Sequence, residues 1–246
     1  MNIALILAGG TGECFGFCRP RQYISVKGKM IINHCIQVFG AHPKINAIYV
    51  VAHEDWRKEI CKEMSNAVLI KFKGFCAPGA TRQRSIFQGL NDMASFARKD
   101  DIIVIHDAIR PVVSASQISA CLKACKEHDG VVPVLPVWDT VYFGENGMIT
   151  SQADRDKIYV GQTPEAYVLG KYYRANSKLM PKKIDKIRRS PEPAVMAGMK
   201  LAMIPGDEDN FDITTRVDLE RYRQLMGRDW VPTPSLSHIQ NFKNVY

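Results

Sequence analysis

Short apolar runs alternate with segments of helical periodicity along the first half of the chain. A run of buried-type residues predicts a strand of a parallel sheet, and apolar residues at helical spacing predict a helix packed against it. The predicted strands are 2–8, 47–52, 68–72, 102–105 and 130–137, and the predicted helices are 30–39, 56–64, 84–96 and 116–128. This alternation indicates an α/β fold, in which a mostly parallel twisted sheet carries helices on both faces.

The alternation stops after the fifth predicted strand. Asn146-Gly147 is a hairpin signal with apolar residues on both sides. We expect an inserted β-arm over about residues 141–160, and a homodimer formed through the arm because its apolar side chains need burial. The chain as a whole predicts one domain over residues 1–246, which ends in an irregular tail over 228–246.

Composition places the chain among ordinary globular proteins. Apolar residues make up 46% and charged residues 24%, which excludes wholesale disorder. No apolar run approaches the ~20 residues that span a bilayer, and Ile3–Ala8 has no basic segment before it. We therefore expect a cytoplasmic protein with no membrane partner. The net charge of +8 suits an anionic small molecule as well as nucleic acid, and the basic residues form no long run. Our expectation is a small-molecule substrate and no nucleic-acid partner.

The seven cysteines do not indicate a disulfide framework, since their number is odd and their spacing irregular. Cys14 with Cys18, and Cys121 with Cys125, are each spaced so that a pair could supply two metal ligands. The second pair lies in a predicted helix, where packing in the core is the simpler role. We assign no metal-ligating residues to the chain.

Two unusual segments follow predicted strands, at the edge of a parallel sheet where ligands bind. The first is the glycine-rich turn Leu7–Gly12, whose backbone N–H groups could approach a phosphate, although a tight structural turn is an alternative. It lacks the Gly-Lys-Ser/Thr ending of a P-loop, and Phe15 stands where a dinucleotide fingerprint has its third glycine. Arg19 and Arg21 add guanidinium groups nearby. The second segment is His106–Pro111.

These segments, together with later ones, resemble the motifs of the sugar-alcohol-phosphate cytidylyltransferases, which act on 2-C-methyl-D-erythritol 4-phosphate or ribitol 5-phosphate. The resemblance covers about residues 2–222, and its blocks occur in the family's order. They are Ala8–Gly12 with Gly16 and Pro20–Gln22; Gly79, Arg82 and Ser85; His106–Pro111; Asp139-Thr140; Asp154-Arg155; Gln162–Pro164; and Asn210–Leu219. Gly161–Pro164 and Ile213–Thr215 favour the ribitol-phosphate branch.

The resemblance implies a Rossmann-like nucleotidyltransferase that moves CMP from CTP to a polyol phosphate and releases pyrophosphate, with Mg²⁺ bound to the triphosphate as cofactor. The nucleotide-binding residues that it implies are Leu7, Ala8, Gly9, Gly10, Thr11, Gly12, Gly79, Arg82, Ser85, Asp107 and Ala108. The acceptor-binding residues that it implies are Thr140, Arg155 and Thr163, and the catalytic residues are Arg21 and Arg155. Arg155 would act from the arm of a partner subunit. For Thr163, a cap of a following helix is the structural alternative.

The chain departs from the family pattern at several basic positions. Cys14 stands where the family has arginine, Arg21 where it has lysine, and Asp212 where it has lysine. Arg188–Pro191 replaces a Thr-Asp block. Three hypotheses stay open from the sequence: an active cytidylyltransferase in which Arg19 or Arg21 supplies the missing charge, a CTP-binding homologue without catalysis, and a nucleotidyltransferase that uses another nucleoside triphosphate.

Overall fold

The computed structural model describes residues 1–11 and 19–227. The elements are β1 (Asn2–Leu7), β2 (Ser25–Val26), β3 (Lys29–Met30), α1 (Ile31–Ala41), β4 (Ala47–Val51), α2 (Glu54–Lys62), α3 (Asn66–Lys71), β5 (Phe72–Cys76), α4 (Arg82–Asp92), β6 (Ile102–Asp107), α5 (Ala115–Ala124), β7 (Gly130–Pro136), β8 (Tyr142–Glu145), β9 (Met148–Gln152), β10 (Tyr159–Gly161), β11 (Glu165–Val168), α6 (Leu169–Ser177), α7 (Pro191–Met196), β12 (Leu201–Pro205) and α8 (Arg216–Gly227). The expected tail over 228–246 lies outside the described residues.

The central sheet has eight strands. Seven are hydrogen-bonded in the order β10-β7-β11-β6-β1-β4-β5, and the eighth, β12, also pairs with β7. The pairs β1–β4, β1–β6, β4–β5 and β7–β12 are parallel, whereas β10 and β11 run antiparallel to their neighbours. Helices cover both faces. The predicted α/β class with a mostly parallel sheet is confirmed.

Alternating residues of the central strands build two separate cores. On one face, Ala4 and Ile6 of β1 pack in a cluster that includes Ile36 of α1 and Ile118 of α5. On the other face, Ile3 and Leu5 pack in a cluster that includes Leu90 of α4 and Tyr172 of α6. A strand buried on both faces reads as a continuous apolar run, which is why β1, β4 and β6 were predictable.

The predicted strand 68–72 is wrong, because most of that segment belongs to helix α3. Only Val68 of this helix is buried, and Ile70 is 78% exposed. The strand itself, β5, begins at Phe72 and contains Lys73 and Gly74, so its sequence has no continuous apolar pattern. A second correction concerns Thr163, which precedes strand β11 and not a helix.

The arm is present as a hairpin of β8 and β9, which forms a sheet of its own. Asn146 and Gly147 have φ angles of 51° and 79°, the left-handed conformation that a tight hairpin turn requires. Every residue of the two strands is exposed. The arm ends earlier than expected, because Tyr159–Gly161 returns to the central sheet beside β7. In the described ranges, no helix is long and apolar enough to cross a membrane.

Candidate active site

Four neighbouring strands of the central sheet end at the same level. Leu7 pairs with Asp107 on one side and with Val51 on the other, and Val51 pairs with Cys76. The loops that follow β1, β4, β5 and β6 therefore meet at one edge. This edge brings together three groups of residues predicted to bind nucleotide: Leu7 to Thr11, Gly79 to Ser85, and Asp107 with Ala108. Gly12 and Cys14 lie outside the described residues.

The carbonyl groups of the first loop are held from the protein side. Gln22 Nε2 donates to the carbonyl oxygens of Ala8 (2.8 Å) and Gly10 (2.6 Å), and the Tyr23 hydroxyl also donates to Ala8 (2.7 Å). His53 Nε2 donates to the carbonyl oxygen of Gly9 (3.0 Å). In a trans peptide the N–H points opposite to the C=O. The N–H groups of Gly9, Gly10 and Thr11 therefore point away from these donors. This is the arrangement of an anion-binding loop.

The anchors of this loop are fixed by aromatic packing. Tyr23 stacks on Trp56 with ring centroids 4.5 Å apart, and burial raises the pKa of Tyr23 to about 12, so its hydroxyl stays a donor. The guanidinium carbon of Arg19 lies over the indole ring of Trp56, 4.9 Å from its centroid. Nη2 of Arg19 is 3.7 Å from the carboxylate of Glu59 in α2. Arg21 donates to the carbonyl oxygen of Thr214 (3.3 Å). Both predicted cations are thus engaged with protein groups.

The second loop packs closely on the first and on the start of α4. A Cβ atom on Gly79 would lie 2.5 Å from Cβ of Arg84, and one on Gly9 would lie 2.5 Å from Cβ of Pro78. The Gly79 N–H donates to Ser85 Oγ (2.9 Å), whose own proton goes to the carbonyl oxygen of Thr81 (3.1 Å). The Ser85 hydroxyl therefore stabilises the second loop by linking the backbone of Gly79 to that of Thr81.

Arg82 and Asp107 form an ion pair at the centre of the edge. Arg82 Nε and Nη2 both donate to Asp107 Oδ1, at 3.0 and 2.8 Å. Burial raises the pKa of Asp107, but the charge and hydrogen bonds of Arg82 outweigh it, so the net pKa is lowered and the carboxylate is ionised. Among the described residues, no donor contacts its second oxygen, Oδ2.

Thr163 supports Asp107 from behind. Its hydroxyl accepts from the Asp107 N–H (3.1 Å) and contacts His106 Nδ1 (3.2 Å), while His106 Nε2 donates to the carbonyl oxygen of Arg110 (3.0 Å). His106 is fully buried, and burial lowers its pKa to about 4, so it is neutral with its proton on Nε2. Because Thr163 is only 3% exposed, its hydroxyl is committed to these internal contacts.

The segment that contains Asp212 lies against Arg110. Arg110 Nη1 donates to the carbonyl oxygen of Asn210 (2.7 Å), and Nη2 is 3.7 Å from Asp212 Oδ2. Arg110 Nε and Asn210 Oδ1 are buried without a hydrogen-bond partner in the described part of the chain. The carboxylate at position 212 therefore neutralises a cation beside the strand edge.

Among the described residues, no hydrogen bond or ion pair links Thr140 or Arg155 to the first loop, to Arg82 or to Asp107. Both are exposed and flank the arm, since Thr140 precedes β8 and Arg155 follows β9, and Arg155 Nη1 donates to the carbonyl oxygen of Trp138 (2.7 Å). Three further residues, His53, Glu165 and Ser190, contact this region without a role predicted from the sequence. His53 follows β4 at the same edge, which is a signal that could have found it, whereas the position of Ser190 depends on tertiary packing alone.

No group of three or more His, Cys, Asp or Glu side chains that could hold a metal ion occurs in residues 1–11 and 19–227. Cys121 and Cys125 are buried, and burial raises the pKa of each thiol to about 12. Cys121 donates to the carbonyl oxygen of Pro164 (3.2 Å). These two cysteines are core residues, and Cys14 and Cys18 lie outside the described residues.

Comparison with known proteins shows the family of the chain. The model of the IspD family, described as 2-C-methyl-D-erythritol 4-phosphate cytidylyltransferase, matches residues 2–228. A ribitol-5-phosphate cytidylyltransferase of Streptococcus agalactiae serotype III is 30% identical over 92% of this chain and 95% of its own length. A bifunctional enzyme IspD/IspF of Paramagnetospirillum magneticum is 32% identical over 91% of this chain, which spans 56% of that relative's length.

A solved structure of 2-C-methyl-D-erythritol 4-phosphate cytidylyltransferase from Francisella tularensis superposes with a TM-score of 0.75, at 24% identity, and covers 91% of this chain and 98% of its own. This likeness shows that the two chains share the same α/β fold. The family match over nearly the whole described chain goes further: the chain belongs to the IspD family of cytidylyltransferases.

Proposed function

We propose that the protein transfers CMP from CTP to the phosphate of a polyol phosphate, either 2-C-methyl-D-erythritol 4-phosphate or ribitol 5-phosphate. An oxygen of the acceptor phosphate attacks the α-phosphorus of CTP, the bond from this phosphorus to the bridging oxygen breaks, and pyrophosphate leaves with the electron pair. Family membership supports the reaction class. The main support for placing the reaction at this site is the strand edge. There, the outward-facing N–H groups of Gly9, Gly10 and Thr11 follow β1, and the ion pair Arg82–Asp107 lies at the end of the neighbouring strand β6.

The chemistry requires electrostatic stabilisation more than acid–base catalysis. The acceptor phosphate is already a nucleophile, but it is an anion that must approach a polyanion. Cations and fixed N–H dipoles hold the two reactants in line and stabilise the charge that develops at the transition state. The N–H groups of Gly9, Gly10 and Thr11 are preorganised for this purpose, because their partner carbonyls are held by Gln22, Tyr23 and His53.

The site fits a magnesium–triphosphate complex. Magnesium binds through one or two carboxylates together with substrate phosphates. Asp107 is ionised, and among described residues Arg82 occupies only its Oδ1, so Oδ2 would hold the ion together with triphosphate oxygens. When bound, the ion supplies charge neutralisation at the triphosphate. The residues of the chain supply the rest: the loop orients the phosphates, and Arg82 fixes the carboxylate.

The acceptor site is proposed to be shared between two copies of the chain. Tyr142, Phe143, Met148 and Ile149 of the arm are 53–71% exposed, an apolar surface suited to pairing with a second copy. In such a homodimer, Thr140 of one subunit and Arg155 of the other would contact the acceptor. Light scattering should give a dimer for the wild type and a monomer for the double variant Phe143→Asp, Ile149→Asp. A wild-type monomer would contradict this arrangement.

Mixing two inactive variants tests whether Arg155 acts between subunits. Arg155→Ala and Arg82→Ala should each be nearly inactive alone. After subunit exchange in an equimolar mixture, half of the dimers are mixed and each has one complete site, so about a quarter of wild-type activity should return. No recovery, although exchange is demonstrated, would place the action of Arg155 within its own chain.

Pyrophosphate release tests the proposed reaction. Each of the four nucleoside triphosphates is offered with each of the two polyol phosphates in the presence of Mg²⁺. We expect release with CTP and at least one acceptor. Calorimetric binding of CTP without turnover would favour a homologue that has lost catalysis, and turnover with another nucleotide would favour a different nucleotidyltransferase.

The proposed compartment is the cytosol, which suits the free thiols of the five described cysteines.

A further inference from the structure

A buried group of polar side chains lies behind the strand edge and takes no part in the chemistry proposed above. Arg82 donates a further hydrogen bond, from Nη1 to Ser190 Oγ (2.9 Å). Ser190 hydrogen-bonds Glu165, which also accepts from the Tyr167 hydroxyl (2.8 Å). Ser190 is 1% exposed and Glu165 is 6% exposed. A continuous chain of hydrogen bonds therefore runs from the candidate site into the core.

The direction of each hydrogen bond in this group is fixed by the chemistry of its members. A guanidinium can only donate, so Ser190 Oγ accepts from Arg82 and its single proton goes to Glu165. Glu165 Oε2 accepts from both hydroxyls. Ser190 therefore links the cation Arg82 to a second carboxylate, in addition to the direct contact with Asp107.

Arg82 is held at both ends of its guanidinium. Nε and Nη2 contact Asp107 Oδ1, and Nη1 contacts Ser190. A rotation of the guanidinium toward Asp107 Oδ2 or toward an incoming phosphate would break the bond to Ser190. The backbone of Ser190 is fixed in turn, because the Tyr172 hydroxyl donates to its carbonyl oxygen (2.8 Å).

The burial of Glu165 needs an explanation, because a buried carboxylate is destabilising unless its partners compensate. Burial raises the pKa of Glu165, and the charge of Arg82 together with the two hydroxyl donors opposes that rise. We propose that Ser190 and Glu165 are positioning residues, which hold Arg82 on Asp107 Oδ1 and thereby keep Oδ2 open to the nucleotide and its cation. This inference rests on the proposed function of the same site.

Steady-state kinetics of Ser190 variants test the proposal. Ser190→Ala removes the link to Glu165, so Arg82 can leave its position, and misplacement of a positioning group by about 1 Å can cost as much as ~10²-fold in rate. We expect kcat to fall about 10-fold or more in Ser190→Ala, with the KM for the acceptor changed less than about 3-fold. Ser190→Thr keeps the hydroxyl and should restore kcat to within about 3-fold of wild type. Glu165→Gln should give an intermediate loss.

A matched variant separates positioning from stability. Ser114 is also a buried serine, but it caps helix α5 through the Gln117 N–H (3.1 Å), and no hydrogen bond among the described residues joins it to Arg82, Glu165 or Ser190. Ser114→Ala should lower the melting temperature and leave kcat unchanged. A kcat of Ser190→Ala within 2-fold of wild type, or equal losses in Ser190→Ala and Ser190→Thr, would overturn the proposal.

A second readout does not depend on turnover. In ¹⁵N-arginine NMR spectra, the Nε–H signal of Arg82 is assigned by its absence in Arg82→Lys. We expect this signal to be sharp in the wild type and Ser190→Thr, and to be broadened by exchange in Ser190→Ala. An unchanged signal in Ser190→Ala would overturn the positioning role even if the wild type proved inactive. Wild-type inactivity by itself would contradict only the proposed function.

Discussion

The carboxylate of Asp212 lies 3.7 Å from the guanidinium of Arg110. Arg110 is 12% exposed in its side chain and Asp212 is 46% exposed, so this pair sits at the rim of the strand edge. Half-exposed ion pairs are weak, at about 0–1 kcal/mol, but the carboxylate also repels an incoming phosphate. Asp212→Asn should therefore lower the KM for the acceptor phosphate about 2- to 5-fold, and Asp212→Lys should lower it further.

The measurement is initial rate against acceptor concentration at low and high salt. The gain of the Asp212 variants should shrink at high salt, because screening reduces the effect of the charge. A KM for the acceptor that stays the same, or rises, in both variants would show that Asp212 does not face the acceptor phosphate.

Gln22 is expected to control CTP affinity through the first loop. Gln22→Glu replaces two N–H donors with a carboxylate facing the carbonyl oxygens of Ala8 and Gly10. The Ala8 carbonyl keeps the Tyr23 hydroxyl as a donor, but the Gly10 carbonyl loses its donor and faces a negative charge. A polar group that loses its partner costs about 1–3 kcal/mol, so we expect the Kd for CTP to rise about 10- to 100-fold. The matched control is Gln117→Glu, since Gln117 Nε2 also donates to a carbonyl oxygen, that of Pro205 (3.1 Å). This control should lose stability without losing CTP affinity, as calorimetry would show. Equal Kd values in both variants would contradict the role of Gln22.

Two glycines of the site should respond differently to alanine. No heavy atom of the described residues lies within 4 Å of a Cβ built on Gly10, so Gly10→Ala should leave the free energy of unfolding within about 0.5 kcal/mol of wild type. The same methyl group would stand where phosphate oxygens approach the loop, so the Kd for CTP should rise about 10-fold or more. A Gly10→Ala variant with wild-type affinity would show that the ligand does not contact this residue.

Gly79→Ala should lose both stability and affinity. The added Cβ would lie 2.5 Å from Arg84 Cβ, 2.8 Å from its carbonyl carbon and 2.9 Å from the backbone nitrogen of Ser85. Because two of these atoms are backbone, the loop must shift, and overpacking of this kind costs about 1–3 kcal/mol. Urea unfolding measures the free energy of unfolding, and calorimetry measures the Kd for CTP. The control is Gly227→Ala, whose added Cβ meets no heavy atom within 4 Å in residues 1–11 and 19–227, and it should change neither quantity.

His106 predicts a loss of stability in acid. Its pKa is about 4 in the folded protein against 6.5 for the ordinary side chain, so the unfolded chain binds the proton more strongly. Its contribution is fully present above pH 6.5 and is lost as the pH falls toward 4, with a total of about 3 kcal/mol. Between pH 7 and pH 5, the wild type should lose about 2 kcal/mol more free energy of unfolding than His106→Gln. If the free energy of unfolding changes by the same amount with pH in the two proteins, the lowered pKa of His106 would be contradicted.

Much of the site's location was predictable, because it depends on strands that carry their own signal. The strands β1, β4 and β6 are buried on both faces and read as apolar runs, and the loops after parallel strands must meet at one edge. The hairpin of the arm was predictable because Asn146-Gly147 adopts positive φ angles readily.

The parts that were missed depend on long-range pairing. Strand β11 is inserted between β6 and β7 in the antiparallel direction, and four residues with a glutamate at their start do not form a strand pattern. The contact between Arg82 and Ser190 joins residues 108 positions apart, and nothing local in the sequence relates them. The pairing of Arg110 with Asp212 likewise appears only once the segment of Asp212 has folded back over the edge.

The N–H groups turned outward after β1 are expected to bind the triphosphate. A crystal structure of the protein with CTP and Mg²⁺ tests this most directly. We expect phosphate oxygens within hydrogen-bond distance, about 2.7–3.2 Å, of the backbone nitrogens of Gly9, Gly10 and Thr11. A nucleotide bound elsewhere on the chain, or a strand edge filled by the protein's own side chains in the presence of saturating CTP, would contradict it.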